Sequence, residues 1–252
     1  MIKDFFNGIS SYFSAFRIIS KLRLWKYFLV PIIVSFLVAG GLGTAIWALS
    51  GSLATWLLPW IPWEAVTGWV INILFGLVGF ILFKHLVIAC VSPFMTPLAQ
   101  KVEENLTGNY TKYAGFNGTK ALKDLFRGMR IAFRNIFKEL LYIIPLFLLG
   151  LIPILTIPCM ILIFLIQAYF AGFGNLDYTL EGHYSVREST RFVKNNRWLA
   201  IGNGTVFLLL LGTGIGFLVA PPLAAVAGAT EAMKRLEPLV LDNNSNIGNE
   251  YV

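Results

Sequence analysis

Charge is scarce in this sequence: 13% of its 252 residues are Asp, Glu, Lys or Arg, about half the share of an ordinary soluble domain. That is too little to cover a water-facing surface, so no soluble domain of useful size is expected. Histidine and cysteine are scarcer, with two of each. His85 and His183 stand on different segments, with no nucleophile, acid and base at a recognisable spacing, which argues against an enzyme. Neither has the company of Cys, His or carboxylate residues that a metal site needs, and no cofactor is expected. Cys90 and Cys159 sit inside apolar runs and read as small buried hydrophobes, saying nothing of redox compartment. Gly212, Gly214 and Gly216 lack the preceding strand and the Lys-Ser/Thr ending of a phosphate loop. Residues 1–20 lack the basic start, apolar block and small-residue cleavage site of a signal peptide, so no cleavage is expected.

Apolar side chains are what the chain has instead, at 57% of residues and a mean hydropathy of +0.71. Lipid is the matching solvent, and the class is an all-α integral membrane protein. The net charge of +7 flanks apolar spans, so an anionic membrane surface is the expected polyanion and nucleic acid is not. Within 1–26, Ile2, Phe5, Phe6, Ile9, Tyr12, Phe13 and Phe16 recur at three and four residues, predicting an amphipathic interfacial helix. Residues 27–49 follow Arg17, Lys21, Arg23 and Lys26 without a charge and predict a first transmembrane helix. Trp56, Trp60 and Trp63 form an aromatic belt in the connector, and 66–91 predicts the return helix. The segment 92–139 carries eight Lys or Arg against four acids and is cytoplasmic by the positive-inside rule.

The runs 140–173 and 199–232 pose a conflict, because basic residues flank both ends of each. Arg134 and Lys138 precede the first, and Arg187, Arg191, Lys194 and Arg197 follow it; Arg197 precedes the second, and Lys234 and Arg235 follow it. One crossing cannot leave both ends in the cytoplasm. As a straight helix each run would measure about 50 Å, against a hydrocarbon core of about 30 Å. Gly150, Pro153 and Pro158 interrupt the first; Gly212, Gly214, Gly216, Pro221 and Pro222 interrupt the second. Two re-entrant, hemi-penetrating helical hairpins follow, entering and leaving on the cytoplasmic side, with one long tilted helix per run as the alternative. Residues 236–252 read as a polar, disordered tail.

Lys120, Lys123, Arg127, Arg130, Arg134 and Lys138 form a basic stripe at helical spacing, opposite Leu122, Leu125, Phe126, Met129, Phe133 and Ile136. It fits a helix on anionic headgroups, or a funnel that concentrates an anionic solute. Lys84 and His85 lie inside the second span, where a charge is costly enough to mark a possible pathway. Snorkelling of Lys84 is the alternative. Asn105, Asn109 and Asn117 match the glycosylation pattern by chance if their segment is cytoplasmic.

The order of parts resembles the CysZ-type sulfate permease family. The matching stretches are Trp25-Lys26-Tyr27 through Pro31, Ser92-Pro93-Phe94, Leu98 to Glu103, Leu106-Thr107-Gly108, Asp177-Tyr178 with His183, the helix around Arg191, Pro221, and Gly228-Ala229-Thr230. The resemblance implies a bacterial inner-membrane protein that admits sulfate for cysteine synthesis, built from two true transmembrane helices and partly penetrating helix pairs as a homo-oligomer. It also implies an anion site just before the first span, where the family places a glycine, an apolar residue and one or two arginines. Here Arg23 stands at the glycine position, Trp25 replaces the first basic residue and Lys26 matches the second, so Arg23 and Lys26 are the expected anion-binding pair. Sulfate or a related oxyanion, membrane lipids and further copies of the chain are the expected partners. A lipid-binding scaffold without transport is the alternative.

Overall fold

The structure, a computed structural model, describes the backbone of residues 1–57, 64–108, 118–213, 216 and 219–248. Their side chains are described except at 46, 47, 49–72, 74, 75, 92, 120, 121, 124 and 237–248. The expected belt of Trp56, Trp60 and Trp63, the side chain of Lys120, and Asn109, Asn117 and Gly214 lie outside these described residues. The chain runs α1 (Ile2–Lys21), a 3-10 turn (Leu24–Phe28), α2 (Leu29–Leu57), α3 (Glu64–Thr107), α4 (Gly118–Leu149), α5 (Thr156–Leu180), α6 (Val186–Asn195), α7 (Arg197–Gly212) and α8 (Ala220–Gly248). Among the described residues there is no strand, and the fold is all-α.

Helix α1 is amphipathic, but its aromatics divide between two faces. Phe6, Phe13 and Phe16 are exposed, as suits an interfacial helix. Tyr12 is instead buried with Gly8, Ser11, Ala15 and Ile19, and its hydroxyl donates to the Asn203 carbonyl of α7 at 2.9 Å. A spacing of three and four covers a stripe wide enough to serve lipid on one edge and protein on the other. The span Leu24–Ala45 is long and apolar enough to cross a membrane, as expected for 27–49. Helix α3 bends by 63° between Gly76–Val91 and Pro93–Thr107, because Pro93 removes a helical hydrogen bond and clashes with the preceding turn.

Both late runs are helical hairpins. The first pairs the end of α4 with α5, broken at 150–155, and the second pairs α7, which ends at Gly212, with α8, which begins at Ala220. The first tip is exposed and apolar: Leu148, Leu149, Leu151, Ile152 and Ile154 face outward, Ile154 at 83% exposure. No charged residue occurs between Glu139 and Asp177. Such a tip belongs in hydrocarbon, where its backbone must satisfy itself, and it does so with short-range bonds. Gly150 N–H donates to Leu146 O at 2.8 Å, Ile152 N–H to Leu149 O at 3.1 Å and Leu155 N–H to Ile152 O at 2.9 Å. The Thr156 hydroxyl adds a bond to Gly150 O at 2.7 Å.

The arms are unequal. Pro158 and Pro221–Pro222 break nothing; they occupy the first turns of α5 and α8, where a missing N–H costs no helical bond. Helix α5 has 25 residues and passes by itself as a candidate span. Its length of about 37 Å is divided, however. Ile157, Met160, Ile161 and Leu162 are exposed, whereas Gln167 to Leu180 is buried apart from Tyr169. The buried part lies antiparallel to α7 at very close range. A Cβ on Gly172 would overlap the carbonyl of Ala200, and one on Gly204 that of Ala168. Small residues four apart on both helices allow this approach. Helix α8 continues to Gly248, through most of the segment expected to be a disordered tail; Leu236 is buried and Arg235 bonds Asp4 at 2.9 Å, so α8 is anchored where that tail was to begin.

Candidate functional site

Two groups of polar residues stand out, one at the surface before α2 and one inside the bundle. At the surface, Arg23 precedes the 3-10 turn with φ of 51°, the one non-glycine residue with positive φ among those described. A side chain is disfavoured in that left-handed conformation, which glycine adopts freely. The departure from glycine at this position therefore has a local cost, in exchange for a cation. Lys26 lies with its Nζ 5.7 Å from the centre of the Tyr27 ring, and Lys101 of α3 stands at the same distance from that ring, both within cation–π range. Lys101 comes from 75 residues away; it lies in the matching stretch Leu98 to Glu103, but nothing there marked it for an anion site. Beside it, a crevice of 280 Å³ is lined by Leu22, Leu24, Lys101, Glu104 and Asn105. Among the described residues, none of Arg23, Lys26 and Lys101 forms an ion pair with a carboxylate. Trp25 is an anchor, packed between Phe16 and Phe28.

Inside the bundle, Lys84 and His85 are brought together with Glu139, and all three are buried. Lys84 Nζ donates to one Glu139 oxygen and to the Gln167 carbonyl at 3.3 Å; His85 Nε2 meets the other carboxylate oxygen at 2.6 Å. Lys84 does not snorkel. One carboxylate serves two neighbours on α3, which offsets part of the desolvation that two buried charges incur. His85 borders a cavity of 20 Å³, shared with Asn135, Asp177 and Tyr178, room for about one water. Beyond it, Arg127 grips Asp177 at 2.9 Å, the Tyr184 carbonyl at 3.0 Å and Ser189 Oγ at 2.8 Å. Arg134 bonds Thr190 and lies 4.6 Å from the Phe173 ring centre. Three cations, Lys84, Arg127 and Arg134, thus share this lane with three carboxylates, Glu139, Asp177 and Glu181.

The basic stripe is consequently split. Arg127 and Arg134 turn inward to α5 and α6, while Phe126, Met129 and Phe133 face out. The amphipathic period was correct, but Phe126, Met129 and Phe133 share the outer face with Lys123, Arg130 and Lys138, while Arg127 and Arg134 are engaged in contacts within the bundle. The two expected groups do not meet: 17 residues of α3, about 25 Å of helix axis, separate Lys84 from Lys101. Outside the spans, His183 Nε2 meets Glu103 Oε1 at 3.0 Å. That hydrogen bond raises the imidazole pKa above its ordinary 6.5, with burial opposing.

These contacts have a topological content. Glu103 touches His183, and Arg127 touches Tyr184 and Ser189, so 92–139 and 174–198 lie side by side. The family model described as Sulfate transporter CysZ/Etoposide-induced protein 2.4 matches residues 11–222, spanning both polar groups. The chain belongs to this family. A Vibrio parahaemolyticus protein named sulfate transporter CysZ is 30% identical over 220 residues, covering 81% of this chain and 85% of its own. A Vibrio cholerae serotype O1 protein of the same name is 29% identical over 221 residues, covering 81% and 84%. One from Pseudomonas fluorescens is 29% identical over 186 residues, covering 72% and 71%. The CysZ family is one of transporters and not of enzymes. The match begins inside α1 and ends in the first turn of α8, so Arg23, Lys26, Lys84, His85, Lys101 and Glu139 all fall within it.

Proposed function

We propose that this CysZ-family chain admits sulfate, or a closely related oxyanion, across the bacterial inner membrane to supply cysteine synthesis. The relatives named sulfate transporter CysZ support the solute. The observation that carries the site is the approach of Lys26 and Lys101 to the Tyr27 ring beside the crevice, with Arg23 three residues before Lys26 and no carboxylate paired to any of the three among the described residues. Oxyanions are held by charge-assisted hydrogen bonds, each worth about 1.5–3 kcal/mol. Arg23 offers a planar fork and the two lysines offer point charges, so the cluster binds the dianion without a fixed cage. Glu104 on the crevice wall sets an electrostatic limit on residence.

From this mouth the solute enters the bundle, with Lys84 and His85 as the inner lining of the route. Their grip on Glu139 is its closed form, since a one-water cavity beside His85 is too small for an ion with four oxygens. Passage requires Glu139 to move from its two partners. The lane's three cations balance its three carboxylates, so a dianion meets polar groups without a deep trap, as a conducting path requires. The flux is channel-like, driven by existing gradients or by consumption of sulfate inside the cell, and the chain works as a homo-oligomer.

Sulfate flux into proteoliposomes tests this, with chloride and phosphate for comparison. The double variant Arg23→Gly, Lys26→Gln removes both charges and relaxes the backbone at Arg23, so its folding is not impaired. It is expected to lose at least about tenfold in sulfate flux, the equivalent of one charge-assisted bond. Equal leakage from empty vesicles would remove the transport claim, and unchanged flux in the variant would remove the site.

A further inference from the structure

A second basic feature borders the inner polar group, whose Arg134 lies close to Tyr169. A groove of 280 Å³ runs between α4, α5 and α7, with Tyr142 from α4 on one wall, Ile201 from α7 on the other, and Leu162, Ile166 and Tyr169 along its floor. Lys194 and Arg197 also line it, and both are exposed. Helix direction places these cations. Ala168 meets Gly204 and Gly172 meets Ala200, so Arg197 stands beyond the Tyr169 end of the floor, and Leu162 marks the opposite end. The groove is therefore polarised along its length, with two cations and two tyrosine rings toward the polar end of α5 and aliphatic side chains toward the hairpin tip.

Nearby acids are engaged elsewhere. Glu188 closes the capping box of α6 with Ser185, Asp177 faces Arg127, and Glu139 is shut in with Lys84 and His85. Among the described residues, Lys194 and Arg197 have no carboxylate partner. A neighbouring groove of 440 Å³ supplies the contrast: Leu77, Phe147, Met160 and Gln167 line it without a charge. That one fits any acyl chain, whereas the first pairs its apolar channel with a cationic end.

We propose that the groove between α4, α5 and α7 binds an anionic glycerophospholipid, its phosphate on Lys194 and Arg197 and one acyl chain along Tyr169, Ile166 and Leu162. Arg supplies a bidentate fork to phosphate oxygens and Lys a second charge. Tyr142 and Tyr169 are amphipathic rings suited to the headgroup level. A lipid so seated would wedge between the first hairpin and α7 and join them at the membrane surface. This site does not depend on which solute the chain transports.

Native mass spectrometry on the purified full chain tests it, with equal amounts of phosphatidylglycerol and phosphatidylcholine in mixed micelles. Near a membrane surface each basic residue contributes enough for about fivefold in affinity, so the parent is expected to retain phosphatidylglycerol roughly tenfold to thirtyfold over phosphatidylcholine. The exposed pair Lys194→Gln, Arg197→Gln should lose that preference while keeping the parent's melting temperature. Leu165→Trp, which fills the groove and leaves the cations, should lower retention of both lipids. Equal retention by the parent, or an unchanged preference in the double variant, overturns the site. Displacement of phosphatidylglycerol by inorganic phosphate at matching concentration would mark a simple oxyanion site and overturn it as well.

Discussion

Lys84 is a costly residue, fully buried inside an apolar span. A lysine inside an apolar span is tolerated only if something pairs with it, and the sequence marks it for that reason alone. Its partner was hidden, because Glu139 lies 55 residues away, at the edge of a segment whose surplus of Lys and Arg assigns it to the cytoplasm. No periodicity links the two positions; only the return of α4 along α3 does. Arg23 was half legible. Its place in a motif is visible in the sequence, while the positive φ that explains why glycine is usual there is a property of the folded turn. For the triad, Glu139→Gln leaves Lys84 buried without a counter-charge and should destabilise the protein by about 3 kcal/mol or more, read as a fall in melting temperature. Adding Lys84→Met should restore most of it. If sulfate flux also returns in the double variant, the triad is scaffolding and not part of the route.

Helices were the most legible level, and the hairpins were found from charge, not from hydropathy. Basic residues at both ends of two overlong runs forced the bend. What charge cannot reveal is how the hairpins bind one another. Ala168 and Gly172 face Ala200 and Gly204 with backbones almost touching, a spacing concealed among many small residues of apolar runs. Outside the membrane, the end of α3 is tied to the turn between α5 and α6 by Glu103 and His183. The folded pKa of His183 is raised, so the sign is fixed. The tie stabilises fully below the unfolded value of about 6.5 and is lost as pH rises through the folded value. Comparing the parent with His183→Gln from about pH 5.5 to about pH 8.5, the parent should be more stable by about 0.5 kcal/mol at the acid end. The two curves should converge at the alkaline end; a gap that grew with pH would contradict the assignment.

At the scale of the molecule, the contacts sort the chain into a polar end and an apolar one. Asp4 reaches Arg235 across almost the whole sequence, Glu103 reaches His183, and Arg127 reaches Ser189. Hence α1, the end of α3, the first half of α4, α6 and the Arg235 turn of α8 gather at one polar end, while the apolar tip around Ile154 points away. An uncharged, exposed tip that closes its own backbone bonds has no reason to reach far-side water. Helix α5 nevertheless has the length to cross, so the depth of the hairpin is decided by the tip and not by the helix. In a background with Cys90→Ala and Cys159→Ala, single cysteines at Asn105, Asn195 and Ile154 separate the alternatives. A membrane-impermeant maleimide should label the first two from the cytoplasmic side only and the third from neither side, while a quencher in the lipid tails should reach a fluorophore carried at Ile154. Labelling at Ile154 from the far side would turn the first hairpin into two crossings, and labelling at Asn195 from the face opposite Asn105 would break the shared compartment on which the re-entrant architecture rests.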